Sequence, residues 1–129
     1  MAFSGIGLAP DSGTRFFLPR LIGYARAFAL AALNDPLPAE AAAAMGLVNA
    51  VYPAAERAGA VRQVALRPAQ APTKALGLTK RAMNKAFQHS TDEALDYEAH
   101  LQEIAGRTAD HQEGVAAFLE KRKAEFRGE

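Results

Sequence analysis

"PLPAEAAAAMGLVNAVYP", residues 36–53, decides how the rest of the chain is read. Pro38 is preset for a first helical position, and "AEAAAAM" follows it with strong helix formers. Gly46 then closes the helix as a glycine just past the C-cap, where a left-handed backbone is wanted. "LVNAVYP" carries β-branched and aromatic residues up to Pro53 and predicts a short strand. A helix feeding a lone strand is one piece of a βα arrangement, so the rest of its sheet has to be sought elsewhere.

Toward the N-terminus only one other segment offers a strand. Residues 2–9, apolar with two glycines, predict a second short one. "PDSG", residues 10–13, predicts a turn with Pro10 at its second position, Asp11 and Ser12 bonding back to the backbone, and Gly13 at the exit. "TRFFLPRLIG" predicts one or two helical turns interrupted at Pro19, and "YARAFALAAL" a helix stopped by Asn34-Asp35-Pro36. Two short strands so far apart cannot make a stable sheet alone. Strands joined by helices belong to βα units, so the sheet is expected to continue in chain outside these residues.

Beyond residue 53 the pattern is helical. Residues 54–66 place Ala58, Val61, Val64 and Ala65 on one face, as far as a linker at Pro68 to Pro72. Residues 73–88 carry Leu76, Met83 and Phe87 at helical spacing. Ser90 and Glu93 have capping-box spacing and start a helix through Ile104, broken at Gly106. Asp110 with Glu113 predicts the start of a last helix, bringing Val115, Phe118, Leu119 and Phe126 near one another. The expected fold is mainly α, with six or seven helices and two short strands. Residues 1–53 are expected to end a core that begins elsewhere, and residues 54–129 to form a C-terminal helical region.

Composition narrows the function. Half of the 129 residues are hydrophobic and 22% are charged, which excludes a disordered chain. Fifteen basic and fourteen acidic side chains nearly cancel, so no net field draws the protein to nucleic acid or a membrane surface. No apolar run approaches the roughly 20 residues that span a bilayer, and no basic region precedes the apolar start as in a signal peptide. The absence of cysteine removes disulfides, thiolate catalysis and Cys-based zinc sites, and fits a cytoplasmic location. His89, His100 and His111 recur at a constant interval, but Gly106 and two capping signals break the helix that would align them, so no metal site is expected. Gly5-x-Gly7 lacks the third glycine of a dinucleotide fingerprint, and no G-x-S-x-G elbow occurs.

Two places could carry chemistry. Asp11 precedes a helix start, where the dipole favours its charged form. It reads either as a turn residue or as a carboxylate positioned to take a carbon-bound proton. "FLEKRKAEF", residues 118–126, alternates sign as a solvated helix face does. It also sets an aromatic, Phe118, beside the cations Lys121 to Lys123, a pairing suited to a nucleotide's ring and phosphates. Phe118 can equally be the buried anchor of an amphipathic helix. Glu120 and Glu125 in the same patch argue against nucleic acid.

"FSGIGLAPDSGTRFFLPRLIG", "LAALNDPLPAEAAAAMGLVNAVYP", "TKRAMNKA" and "EGVAAFLEKRKAEF", in that order, resemble the second half of the crotonase superfamily of enoyl-CoA hydratases and isomerases. The resemblance runs over essentially the whole chain. It implies a spiral of ββα repeats ending within residues 1–53, followed over 54–129 by a helical region that assembles trimers, often paired into hexamers. It implies an acyl-CoA thioester as substrate, coenzyme A entering only as part of it, and no tightly bound cofactor. Two backbone N–H groups of the other half form an oxyanion hole for the enolate, typically the largest catalytic contribution. By the resemblance the first hydratase glutamate would precede residue 1, and the second, expected near Phe3, lacks a counterpart, since no acid occurs in residues 1–10. Asp11 falls where the isomerase and dehalogenase branches carry a catalytic aspartate. "GLAPDSGT" and "GRTADHQEGVAAFLEKR" look most like the ring-opening isomerases of phenylacetate degradation. Phe118 and Lys121 match an aromatic and a lysine that contact the adenine and phosphates of coenzyme A. Three readings remain: an acyl-CoA isomerase active only with its N-terminal half, a non-catalytic oligomerising remnant, or a hydratase in which Asp11 replaces a glutamate.

Overall fold

Residues 3–129 are described by a computed structural model, and among them seven α-helices form but no strand. They divide into two compact units, Met1–Ala54 and Ala55–Glu129.

The first unit holds a 3₁₀ turn, Ser4–Ile6, then α1 (Thr14–Ile22), α2 (Tyr24–Leu33) and α3 (Ala39–Ala44). The strand predicted over residues 2–9 is overturned (Ala2 lies outside the described residues). Ile6 N–H and Leu8 N–H both donate to the Phe3 carbonyl, at 3.1 and 2.9 Å, and Gly7 turns left-handed at φ 77°. With no neighbouring strand to pair with, the backbone satisfies its donors locally. Ser4 fastens this turn to the end of α2, its Oγ donating to the Ala31 carbonyl at 2.8 Å and accepting from Asn34 Nδ2 at 2.6 Å.

α1 runs through Pro19 where a break was expected. A helix-interior proline costs about 3 kcal/mol. Leu18 and Ile22, both buried on this helix, each contribute about 1.5–3 kcal/mol and offset it. Pro38 stands at the N-cap of α3, one position earlier than expected. Gly46 does close α3, at φ 79°, with Gly46 N–H donating to Ala43 O at 3.0 Å and Leu47 N–H to Ala42 O at 2.9 Å. That closure carries Leu47 onto the core of Leu18, Ile22 and Ala27, beside Leu30 and Met45. "LVNAVYP" is therefore a packed corner followed by coil, and the second predicted strand is overturned as well.

The second unit holds α4 (Ala54–Ala69), α5 (Thr73–Ala86), α6 (Thr91–Gly106) and α7 (Ala109–Leu119). α4 extends through Pro68 into the predicted linker and buries none of its side chains. α5 and α6 pack together, burying Leu78 and Leu101. Leu76, Met83 and Phe87 all remain exposed. The capping box of Ser90 and Glu93 forms in both directions, as the spacing predicted.

α7 is capped by Thr108, whose Oγ1 accepts from His111 N–H at 3.0 Å, and not by Asp110. The helix stops at Leu119, and residues 120–129 fold back toward its first turn. Phe126 thus reaches α7 from this tail, its ring 3.5 Å from where a Cβ on Gly114 would stand. Among the described residues no helix is long and apolar enough to cross a membrane.

Candidate functional site

Asp11 opens a tight turn whose central residues, Ser12 (φ 53°) and Gly13 (φ 78°), are both left-handed. Its carbonyl accepts from Thr14 N–H at 2.9 Å, so Pro10 precedes the turn where the sequence suggested it lay within. A left-handed backbone costs a non-glycine residue roughly 1–2 kcal/mol, yet serine occupies the position. Its Oγ donates to Asp11 Oδ1 at 2.9 Å and holds the carboxylate at the N-terminus of α1.

Next to it lies a cleft of about 650 Å³, lined by Ser12, Gly13 and Thr14 together with Phe17, Leu21 and Leu30 among others. Its size suits a small-molecule site. Asp11 itself is exposed and outside this lining. The acid on the cleft wall is Asp35, which sequence reasoning passed over because "NDP" reads first as a helix stop.

Phe118 and Lys121 come together at the end of α7. Phe118 is 83% exposed, so within these residues nothing buries it as an anchor. Lys121 stands at the left-handed position past the helix end, φ 55°, where glycine is the usual residue. Lys121 N–H donates to Phe118 O at 3.3 Å and Arg122 N–H to Ala117 O at 3.0 Å, completing the closure. Asp11 lies in the first unit, and Phe118 and Lys121 lie in the second.

Arg122, within the cationic run Lys121 to Lys123, is engaged. It forks onto Glu113 at 2.6 and 2.8 Å and reaches Glu120 at 2.6 Å. Glu113, expected as a helix-start residue, instead holds the tail, accepting also from Glu125 N–H at 2.9 Å. The Arg122 guanidinium, and then the Glu125 amide, hold the Glu113 carboxyl down at about 2. A depressed carboxylate contributes stability above its unfolded value and loses it as pH falls through the folded one. The tail is therefore expected to stay fastened down to pH about 4.5 and to loosen progressively toward pH 2. Glu113→Gln should remove that dependence. Amide exchange at Glu125 followed against pH checks it, and a wild-type profile flat across this window would refute it.

Asp110 was the larger omission. It is 3% exposed, and its carboxylate accepts from Arg127 N–H at 2.7 Å and Gly128 N–H at 2.8 Å. The D-x-x-E spacing hid this role, because a helix cap explains the same residues. His89 and His100 both pair with the Tyr97 ring, and no group of His, Cys, Asp or Glu among the described residues could hold a metal ion.

The sequence profile described as enoyl-CoA hydratase/isomerase matches residues 1–129. The chain is 45% identical to the 1,2-epoxyphenylacetyl-CoA isomerase of Escherichia coli, over 99% of its own length and 49% of that protein's. It is 38% identical to a crotonyl-CoA hydratase of Syntrophomonas wolfei, over 95% and 47%. The crystal structure of an enoyl-CoA hydratase from Geobacillus kaustophilus superposes with a TM-score of 0.90 at 33% identity, over 98% of this chain and 48% of that one. The chain thus spans about half the length of the relatives it matches.

Proposed function

Because this chain belongs to the enoyl-CoA hydratase/isomerase family, we propose that it supplies the C-terminal, proton-moving part of an acyl-CoA isomerase. The observation that carries this reading is a single carboxylate, Asp11, held by Ser12 at the start of α1, with no acid in residues 1–10. In this reading Asp11 takes a proton from one carbon of the acyl group and returns it to another, and no water is added. The enolate formed meanwhile is stabilised by the oxyanion donors of the family's other half. The apolar wall of the neighbouring cleft suits an acyl group, and the similarity to an epoxyphenylacetyl-CoA isomerase supports a CoA thioester of that kind. Coenzyme A enters as part of the substrate, and no other cofactor is needed. A hydratase reading draws on the similarity to a crotonyl-CoA hydratase, and Asp35 on the cleft wall is the second acid it would use. Product analysis on an enoyl-CoA, hydroxyacyl against shifted double bond, separates the two.

Phe118 and Lys121 hold the nucleotide end of the substrate. An exposed ring with a lysine three residues on, at the turn that ends α7, supports this. Lys121→Gly relieves the left-handed backbone strain and removes the cation. It is expected to raise thermal stability slightly and weaken coenzyme A binding about 10- to 100-fold, the worth of a charge-assisted bond to phosphate. Calorimetry with coenzyme A checks it, and unchanged affinity would remove Lys121 from the site.

A cytoplasmic homo-oligomer, trimer or hexamer, completes the reading. The exposed stripe of Leu76, Met83 and Phe87 supports the assembly, because an apolar patch of this kind rarely stays uncovered. Sedimentation of the 129-residue chain should show self-association at micromolar concentration, and a clean monomer would count against it.

A further inference from the structure

We infer that Asp110 is the positioning residue for Lys121: by clamping the returning tail it sets the backbone that aims the lysine. This rests on the assignment of Lys121 to the nucleotide end of the substrate. Lys121 is the pivot at which the chain leaves α7 and turns back, and its left-handed backbone is unfavourable by itself. Beyond its own two backbone bonds, the turn is held by ties on the chain that follows it.

Two ties do this. Glu113 holds Arg122 and the Glu125 amide immediately after the pivot. Asp110 then takes the amides of Arg127 and Gly128, while its own N–H donates to the Glu129 carbonyl at 3.0 Å. The Asp110 tie is the buried one, so water competes for it least.

Gly128 shows how tightly the tail is seated. It adopts φ 83°, and a Cβ there would stand 2.5 Å from Thr73 Oγ1 at the start of α5. The tail is thus seated between α7 and α5, and at this left-handed φ a side chain would be strained and would displace the Thr73 hydroxyl. Phe126, on the same tail, forms part of the wall of a cavity of about 480 Å³ to which Phe118 also belongs. Loosening the tail therefore disturbs both members of the nucleotide subsite, although Asp110 needs no contact with the substrate.

The test uses Asp110→Asn and Gly128→Ala in the full-length protein. The first replaces one acceptor oxygen by an NH₂ group facing a donor, and the second forces a methyl group against Thr73. Both should speed amide exchange at residues 127 and 128. Both should also weaken coenzyme A binding about tenfold while leaving pantetheine, which lacks the nucleotide, bound as before. In a Lys121→Gly background Asp110→Asn should cost clearly less than it does alone, because one of the two groups that the tail holds is gone. Faster exchange with unchanged coenzyme A affinity would overturn the inference, and so would equal losses for coenzyme A and pantetheine. If Lys121→Gly alone leaves affinity unchanged, the assignment of Lys121 fails first and the positioning role falls with it.

Discussion

Asp11→Asn, in the full-length protein, is expected to lower kcat by about 100- to 10,000-fold while KM changes little, the usual consequence of removing a general base. The local structure makes this a clean substitution. The turn is closed by the Asp11 backbone carbonyl, which asparagine retains. The Ser12 hydroxyl donates to a side-chain oxygen, which asparagine also presents. What asparagine lacks is basicity. If Asp11 were only a turn residue, Asn would serve almost as well and activity would hardly move. A steady-state comparison in which the variant keeps most of its kcat would return Asp11 to the turn.

The second large effect concerns the 129 residues alone. A polypeptide of this length is expected to turn over no enoyl-CoA at a rate normal for the family, and to regain turnover when the remainder of the family domain is supplied. It spans about half of the relatives it matches. By the family resemblance the oxyanion donors belong to the other half. Removing even one such donor typically costs about 100- to 1,000-fold, and here both are absent. The described residues also leave Phe17, Leu21, Tyr24 and Phe28 exposed on α1 and α2, surface that the remaining half is expected to cover. Normal turnover by the 129-residue polypeptide would show that the chemistry needs nothing from the other half.

Much of the local structure was legible before any coordinates. The capping box at Ser90, the closure at Gly46 and the stop at Asn34 each depend on a few neighbouring residues, and each forms as the sequence predicts. The helical breaks expected at Pro19 and Pro68 do not occur. A proline's local cost was visible, but in α1 the burial of Leu18 and Ile22 that offsets it was not. The strands failed for a related reason. "LVNAVYP" has strand composition, but a strand exists only as one side of a ladder, and none of the described residues supplies the other side.

The candidate site divides the same way. Sequence by itself carried the family resemblance and, through it, the candidates Asp11, Phe118 and Lys121, because a family motif consists of residue types in a fixed order. Only the tertiary structure decided that Arg122 is spent on Glu113, that Phe118 is exposed, and that Asp110 is a buried clamp for residues 127 and 128. Asp110 and Gly128 are 18 residues apart, beyond the reach of any helical period. A buried carboxylate is tolerated only where donors converge on it, and the convergence on Asp110 exists only once the tail has turned at Lys121 and come back.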